Sequence, residues 1–331
     1  VEGQPFRLDA SVGVAVSPTH GAEAELLVRR SERAMRLARD HANSYALYQP
    51  DMDRTTAERL SLLGELREAL ETGQTELYYQ PKMRLADGSI YGVEALLRWH
   101  HPRLGPVPPD QFIPLAERSG LVKPLTTWVL GTAARQAAVW RSEGLELGVA
   151  VNVTPRDLQD EQFADEVRAA LQHWGLPASA LTLEMTERAV LTDSDGVHET
   201  CRRLHQLGVI LSLDDFGTGQ SALSTVTMLP IGEVKIDRTF VSNALHGREH
   251  QGIISVVIEL ANQLGLHCVA EGVEDAETEQ LLDELGCEAV QGFFLARPMP
   301  AHQLGAWLAD RLAASAGARQ RRALLRSRSR A

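Results

Sequence analysis

Apolar positions recur along this chain with two different periods. Short apolar runs of four to eight residues alternate, from about residue 75 on, with longer stretches whose apolar positions return every three or four residues. The first kind predicts strands near 76–82, 90–99, 148–153, 181–185, 209–214, 233–236, 267–270 and 288–291. The second kind predicts helices over 51–72, 123–143, 156–174, 188–207, 238–265 with a break near Gly247, 275–285 and 300–314. Leu60, Leu63, Leu66 and Leu70 mark the apolar side of the first of these helices. Pro155 and Pro300 fit helix starts, where the missing N–H costs nothing. Ala86-Asp87-Gly88-Ser89 joins the first two strands. Asp-Gly is a hairpin signal, and so short a link cannot be a parallel crossover, so these two strands are antiparallel. Eight strands with helices between most of them predict an α/β fold: a (β/α)8 barrel whose first strand is reversed. The rival, an open doubly wound sheet, lacks the glycine-rich fingerprint expected after its first strand.

Ahead of the barrel, residues 6–16 alternate like a strand and residues 22–41 have helical periodicity. This piece is too short to bury a stable core alone. The expected organisation is a small α+β fragment over 1–50, a barrel over 51–312 and an Ala/Ser/Arg-rich, disordered tail over 313–331.

Charge sharpens the picture. The 331 residues carry a net charge of −11, with 44% apolar and 23% charged side chains, as in a globular protein. Residues 311–331 hold seven arginines and no acid, while residues 51–310 hold 20 basic and 38 acidic side chains. So acidic a body repels polynucleotides; a small phosphodiester is admissible where metal ions cancel the local field. The tail arginines read as a solvated segment, with RNA or acidic lipid as the weaker alternative. No apolar run approaches a membrane span. Cys201, Cys268 and Cys287 form neither a metal spacing nor an even disulfide set, which predicts a reducing, cytoplasmic setting. An upstream segment anchoring a longer protein to a membrane is compatible with that reading.

The candidate chemistry sits at the strand ends. Glu94, Asn152, Glu184, Asp214, Asp215 and Glu271 each lie at or just after the end of a short apolar run, and Glu187 lies one helical turn past Glu184. In a barrel the C-terminal ends of strands carry chemistry. Hard oxygen ligands converging there suit magnesium or manganese, and two such ions make a clamp for phosphate ester hydrolysis. The bland reading of Asp214-Asp215 is a solvated turn; Asn152 reads equally as a ligand or a strand-end hydrogen bonder. Lys235, in an otherwise apolar strand, points into the barrel mouth to orient or deprotonate water, with a pKa lowered by burial and neighbouring cations. Gln80 and Gln291 end the first and last strands, and Arg98 shares the face of Glu94, a natural phosphate fork. Asp215-Phe216-Gly217 is no kinase signature, because no His-Arg-Asp loop accompanies it. No Ser-His-Asp arrangement or zinc pattern stands out.

These residues carry a resemblance. Residues from about 60 to 312 resemble an EAL domain, the cyclic-di-GMP phosphodiesterase family. The matching motifs are Glu94-Ala95-Leu96, Tyr79-Gln80-Pro81, Phe112 to Glu117, Asn152, Glu184-Met-Thr-Glu187, Asp214-Asp-Phe-Gly217, Lys235-Ile-Asp237, Glu271-Gly-Val-Glu274 and Gln291-Gly292. The resemblance implies a TIM-like barrel and two divalent ions, Mg²⁺ or Mn²⁺. Glu94, Asn152, Glu184 and Asp214 would hold one ion and Asp214 with Asp215 the second, with Glu271 and Gln291 serving ligation or bound water. Lys235 would assist the attacking water, Gln80, Arg98, Glu274 and Gln291 would contact substrate, and Glu187 would anchor the 215–223 loop. It also implies a homodimer. One departure stands in that loop: Gly219-Gln220-Ser221-Ala222 replaces the family's Gly-Tyr-Ser-Ser, which bears on loop dynamics and dimer coupling, not on ligation. The stretch from Ala10 to Ala15 and the helix from Ser31 to Arg39 resemble the last third of a GGDEF (diguanylate cyclase) domain. The signature loop of that family would lie upstream, so no cyclase activity is implied.

The expected activity is hydrolysis of cyclic-di-GMP, a bacterial second messenger, to linear pGpG. The alternative is a catalytically silent receptor or scaffold signalling through protein contacts. Such relatives lack one or more acids, and here none is missing.

Overall fold

In the computed structural model the described residues are 11–40, 45–49, 51–190, 195–217, 226, 228–245 and 247–311. The chain divides into two compact units, Val1–Glu68 and Ala69–Ala331, and the division falls within the helix Asp51–Thr72. The predicted tail, and the loop after Asp215 from residue 218 to 225, lie outside the described residues.

The first unit holds strands β1 (Val12–Val14) and β2 (Tyr45–Leu47), paired in parallel, with the helix Ala24–Asp40 as their crossover. Gly13 explains their closeness. A Cβ there would stand 1.8 Å from the carbonyl oxygen of Ser31, so only glycine lets the helix lie on this strand. Val12, Val14, Tyr45 and Leu47 face the other way and are exposed.

The second unit is a closed barrel. Its strands are β3 (Thr75–Arg84), β4 (Ile90–His101), β6 (Gly148–Asn152), β7 (Leu181–Thr186), β8 (Ile210–Phe216), β9 (Glu233–Ile236), β10 (His267–Ala270) and β11 (Ala289–Val290). They neighbour one another in that order, and β11 closes on β3. β3 runs antiparallel to both β4 and β11, whereas the pairings from β4 to β6 through to β10 with β11 are parallel. The reversed first strand predicted from the Asp87-Gly88 hairpin is therefore present. Gly88 takes φ +70°, and the Ser89 amide donates to Asp87 Oδ1 at 2.9 Å. Two short strands, β5 (Gly105–Val107) on β4 and β12 (Met299–Pro300) on β3, extend the sheet.

Strand alternation explains the core. Val149, Val151, Leu183, Met185, Leu211, Leu213 and Ile236 are 0% exposed, and they share the face that packs under the helices. The alternate positions point into the barrel. There the sequence supplies charge and hydroxyl in place of the usual branched apolar layers: Lys82, Glu184, Ser212, Glu233 and Lys235 are all buried.

Several helices depart from the periodicity reading. The expected helix over 156–174 is two, Pro155–Gln159 and Phe163–Trp174. Asp160 breaks it with extended backbone and is held by Lys123 Nζ at 2.6 Å. The stretch 188–207 also divides, into Glu187–Val190 and Asp195–Leu207. The stretch 238–265 breaks at Gly247 as expected, into Arg238–Val241 and Arg248–Leu264, with extended Gly247 at the second start. One helix, Pro109–Ser119, was not anticipated. Pro109 suits a first helical turn, and Phe112, Leu115 and Ala116 bury the apolar side of the helix, which also accommodates Pro114 in its interior. Among the described residues no helix is long and apolar enough to cross a membrane.

Candidate active site

The C-terminal end of the barrel gathers most of the residues singled out above. Lys235, 0% exposed on β9, stands among four carboxylates. Its Nζ lies 2.6 Å from Glu271 Oε1, 2.9 Å from Glu184 Oε2, 3.3 Å from Asp214 Oδ1 and 3.7 Å from Glu94 Oε2. Strand register makes this possible: Asn152 pairs with Glu184, Glu184 with Ser212, and Gln80 with Glu94, so barrel-facing side chains fall at neighbouring heights.

Glu94 is clamped by two amides. Asn152 Nδ2 donates to its Oε1 at 2.8 Å, and Gln291 Nε2 donates to its Oε2 at 2.6 Å. Gln291 Nε2 also donates to Gln80 Oε1 at 3.0 Å, and Gln80 Nε2 donates to the Ala296 carbonyl at 3.0 Å. Gln291 Oε1 is buried without a hydrogen-bond partner. A buried acceptor left open in a cleft is costly unless something else supplies the donor or cation. A capping box seats the chain that leaves Asn152: Asp157 accepts from both the amide and the hydroxyl of Thr154 at the start of Pro155–Gln159.

Asp214 and Asp215 lie near the end of β8, within the register shift between Leu213 and Phe216. Asp215 has φ +55°, the one non-glycine residue in the left-handed region among the described residues, and its amide donates to Asp214 Oδ1 at 2.9 Å. That conformation costs of order 1 kcal/mol and turns the second carboxyl away from the strand. Asp215 then meets Asp237, a partner sequence reasoning did not identify.

The remaining candidates lie at the rim or outside. Gln80, Glu94, Arg98, Asp214, Glu271, Glu274 and Gln291 line one cleft of about 270 Å³, together with Arg238, Phe293 and Pro298. Arg98 donates to the Leu97 carbonyl at 2.8 Å and lies over the Tyr78 ring at 5.5 Å. Glu187 is buried at the start of Glu187–Val190 and does not join the cluster around Lys235; most of the loop it was expected to anchor lies outside the described residues.

The electrostatics follow from the crowding. Burial and the charges of Glu184 and Asp214 push the Glu94 carboxyl up. Burial, Asp214 and Glu94 push Glu271 up to about 8, against the pull of Lys235. Burial, Asp214 and the hydrogen bond with Asp237 push Asp215 up to about 6. Glu184 goes the other way, to about 2, because two ammonium groups overcome its burial. For Lys235 the lowering was expected beside cations; with the carboxylates alone around it the direction is upward. Burial alone would lower its pKa, but Glu184, Glu271, Glu94 and Asp214 together raise it well above the ordinary value, so it is an ammonium.

Five carboxylates in this space leave negative charge that Lys235 alone does not balance. Among the described residues no three His, Cys, Asp or Glu side chains are drawn around a common empty point; the Lys235 ammonium takes the centre. The donor set nevertheless fits hard divalent cations. Its atoms are oxygens, its surplus charge raises carboxyl pKa values, and Gln291 Oε1 and the Asn152 amide oxygen add neutral acceptors.

The sequence reading also missed a layer beneath this site. Lys82 Nζ lies 2.7 Å from Glu184 Oε1 and 3.0 Å from Glu233 Oε1, and Ser212 Oγ donates to Glu233 Oε1 at 2.8 Å. The signal was available: Lys82 is two residues from Gln80, Ser212 two from Asp214 and Glu233 two from Lys235, each therefore barrel-facing.

A glycine shapes the rim. At Gly292 a Cβ would meet the backbone of Val273 at 2.1 Å, so the chain after Gln291 crosses the segment that follows β10 in direct backbone contact. Gly292→Ala is expected to destabilise the fold by roughly 1–3 kcal/mol, as forced overpacking does, and to displace Gln291. Urea unfolding reads the first effect; a variant as stable as the parent would contradict this account of the crossing.

Comparison with known proteins places the chain. A family model described as EAL domain matches residues 63–298. The bifunctional diguanylate cyclase/cyclic di-GMP phosphodiesterase MucR of Pseudomonas aeruginosa is 41% identical over 300 residues, 90% of this chain and 44% of the relative. Cyclic di-GMP phosphodiesterase PA2567 of the same organism is 40% identical over 272 residues, 82% of this chain and 46% of the relative. The chain thus spans under half the length of these curated relatives. Among solved structures, the PaMucR phosphodiesterase in its c-di-GMP complex superposes with a TM-score of 0.71 at 43% identity, covering 74% of this chain and 99% of that one. The chain belongs to the EAL domain family.

Proposed function

We propose that this chain is a metal-dependent phosphodiesterase that opens cyclic-di-GMP to linear pGpG. The observation that carries the reading is the gathering of Glu94, Glu184, Asp214 and Glu271 within 3.7 Å of one buried lysine, beside a cleft lined by Glu94, Asp214, Glu271 and Arg98. Relatives named for this activity support it. Two divalent ions, Mg²⁺ or Mn²⁺, would lower the pKa of water and stabilise charge on the attacking and leaving oxygens of an in-line displacement. Glu94, Asn152, Glu184, Asp214, Asp215 and Glu271 would hold them. The chain's own residues do the rest. Arg98 offers its guanidinium to the phosphodiester at the rim, and Gln80, Gln291 and Glu274 orient the substrate. Lys235, as an ammonium, fixes the carboxylates and stabilises negative charge developing on the phosphate. The full oxygen set favours an enzyme over a silent receptor. The direct test is incubation of the protein with cyclic-di-GMP and Mg²⁺, with chromatography of the products. No linear dinucleotide at high enzyme concentration refutes the activity, and tight binding without turnover would identify a receptor.

The remaining organisation belongs to the same proposal. The β1–helix–β2 unit is the end of a GGDEF-type domain over 1–50, followed by the phosphodiesterase barrel over 51–312 and a basic tail over 313–331. The described cysteines are free and buried, consistent with work in a reducing cytoplasm. The barrels pair as a homodimer. Ile253 and Val256, exposed on Arg248–Leu264, supply apolar surface for a self-complementary patch. Light scattering across a dilution series, with turnover in parallel, is expected to give dimers. Gln220 and Ala222 loosen the tie between pairing and rate, so activity per chain should change little on dilution. A monomer at every concentration would refute the pairing and leave the chemistry standing.

A further inference from the structure

Beneath the site lies a lysine with no part in the reaction as described. Lys82 is 2% exposed and bonds Glu184 Oε1 at 2.7 Å, while the other oxygen of Glu184 faces Lys235 at 2.9 Å. The two oxygens of one fully buried carboxylate are therefore held by two different ammonium groups. Lys82 is itself fixed from the far side by Glu233, which Ser212 holds in turn. Rotating Glu184 would break a buried charge pair, which is strongly unfavourable.

We infer that Lys82 is a positioning residue for the proposed ion site. It engages Glu184 Oε1 from the barrel interior and leaves Oε2 alone to meet a cation at the mouth, so Glu184 ligates through one oxygen. This rests on the two-ion reading above. A competing role, simple balance of charge, makes the opposite prediction. Removing a bare counter-charge leaves the site more negative and tightens cation binding. Removing a positioning group frees the carboxylate to turn and weakens it.

The test is Mn²⁺ binding by the whole chain, followed from the free-ion paramagnetic resonance signal, in wild type and Lys82→Met. Partners that orient a metal ligand are typically worth about 10–100-fold in affinity, so the dissociation constant of the variant should rise by about tenfold or more. Thermal unfolding monitors folding separately; a role confined to stability would lower the melting point and leave ion affinity unchanged. Should Lys82→Met fold poorly, Lys82→Arg serves. It keeps the charge but moves the donor, and a cavity of about 280 Å³ beside Lys82, also lined by Arg84 and Tyr91, offers room. Weakened Mn²⁺ binding in Lys82→Arg supports positioning, and wild-type affinity overturns it. If wild type binds no Mn²⁺, the two-ion reading fails. If wild type binds and Lys82→Met binds equally or more tightly, only the role of Lys82 fails.

Discussion

Lys235→Met is expected to cut turnover by roughly 10²–10³-fold while leaving the Michaelis constant for cyclic-di-GMP nearly unchanged, the range seen when one preorganised donor to developing charge is lost. The substitution keeps most of the length of the side chain and removes its charge. Lys235 lies within 3.7 Å of four carboxylates and is not among the residues lining the cleft, so ground-state binding loses little with it. A loss confined to kcat is the mark of an interaction made in the transition state. A second readout follows from the same geometry. Without ions, Glu94, Glu184, Asp214 and Glu271 lose the ammonium they share, and breaking buried pairs is costly. The ion-free variant should therefore melt below wild type, and Mg²⁺ should raise its melting point by more than it raises that of wild type. Full turnover in Lys235→Met would remove the lysine from the mechanism. A raised Michaelis constant with normal kcat would reassign it to substrate binding.

The barrel was legible because its strands are short apolar runs punctuated by acids, and the Asp87-Gly88 turn dictated the reversed strand. Glu184 and Asp214 were legible for the same reason, each near the end of a run, whereas Glu94 lies inside β4 and not at its end. What stayed hidden needed depth and register. Alternation says that Lys82 faces the barrel, but not that it reaches Glu184 from a strand 102 residues away in sequence. It gives no hint that Asp215 adopts φ +55° and turns to Asp237, because a single backbone reversal breaks the period that the inference relies on. The upward pull of the carboxylates on Lys235 stayed hidden for a related reason. Burial is visible in a sequence as an apolar context, whereas the four converging carboxylates come from four separate strands or the residue just after one.

Chelation of divalent ions is expected to bring turnover to background, and the chelated protein should lose stability as pH rises. Glu271 carries the sign. Its carboxyl is raised in the folded chain from 4.5 to about 8, mainly by burial and then by Asp214 and Glu94. Between those two values the folded protein keeps a proton that the unfolded chain has shed. Its contribution is therefore fully present below pH 4.5 and is lost as pH rises through about 8. One group titrating in this way gives a slope of about 1.4 kcal/mol per pH unit. Asp215, raised from 3.8 to about 6, adds in the same direction over the lower part of that window. Bound ions must displace these protons. Their affinity should then climb by about tenfold per pH unit while one proton is expelled, and level off above about pH 8. Melting points of chelated and Mg²⁺-saturated protein from pH 5 to 9 should therefore diverge, the first falling while the second holds. Hydrolysis that persists after exhaustive metal removal would sink the two-ion chemistry. A chelated melting point that rises with pH would show instead that the carboxyls at the barrel mouth are already ionised and balanced by the protein alone.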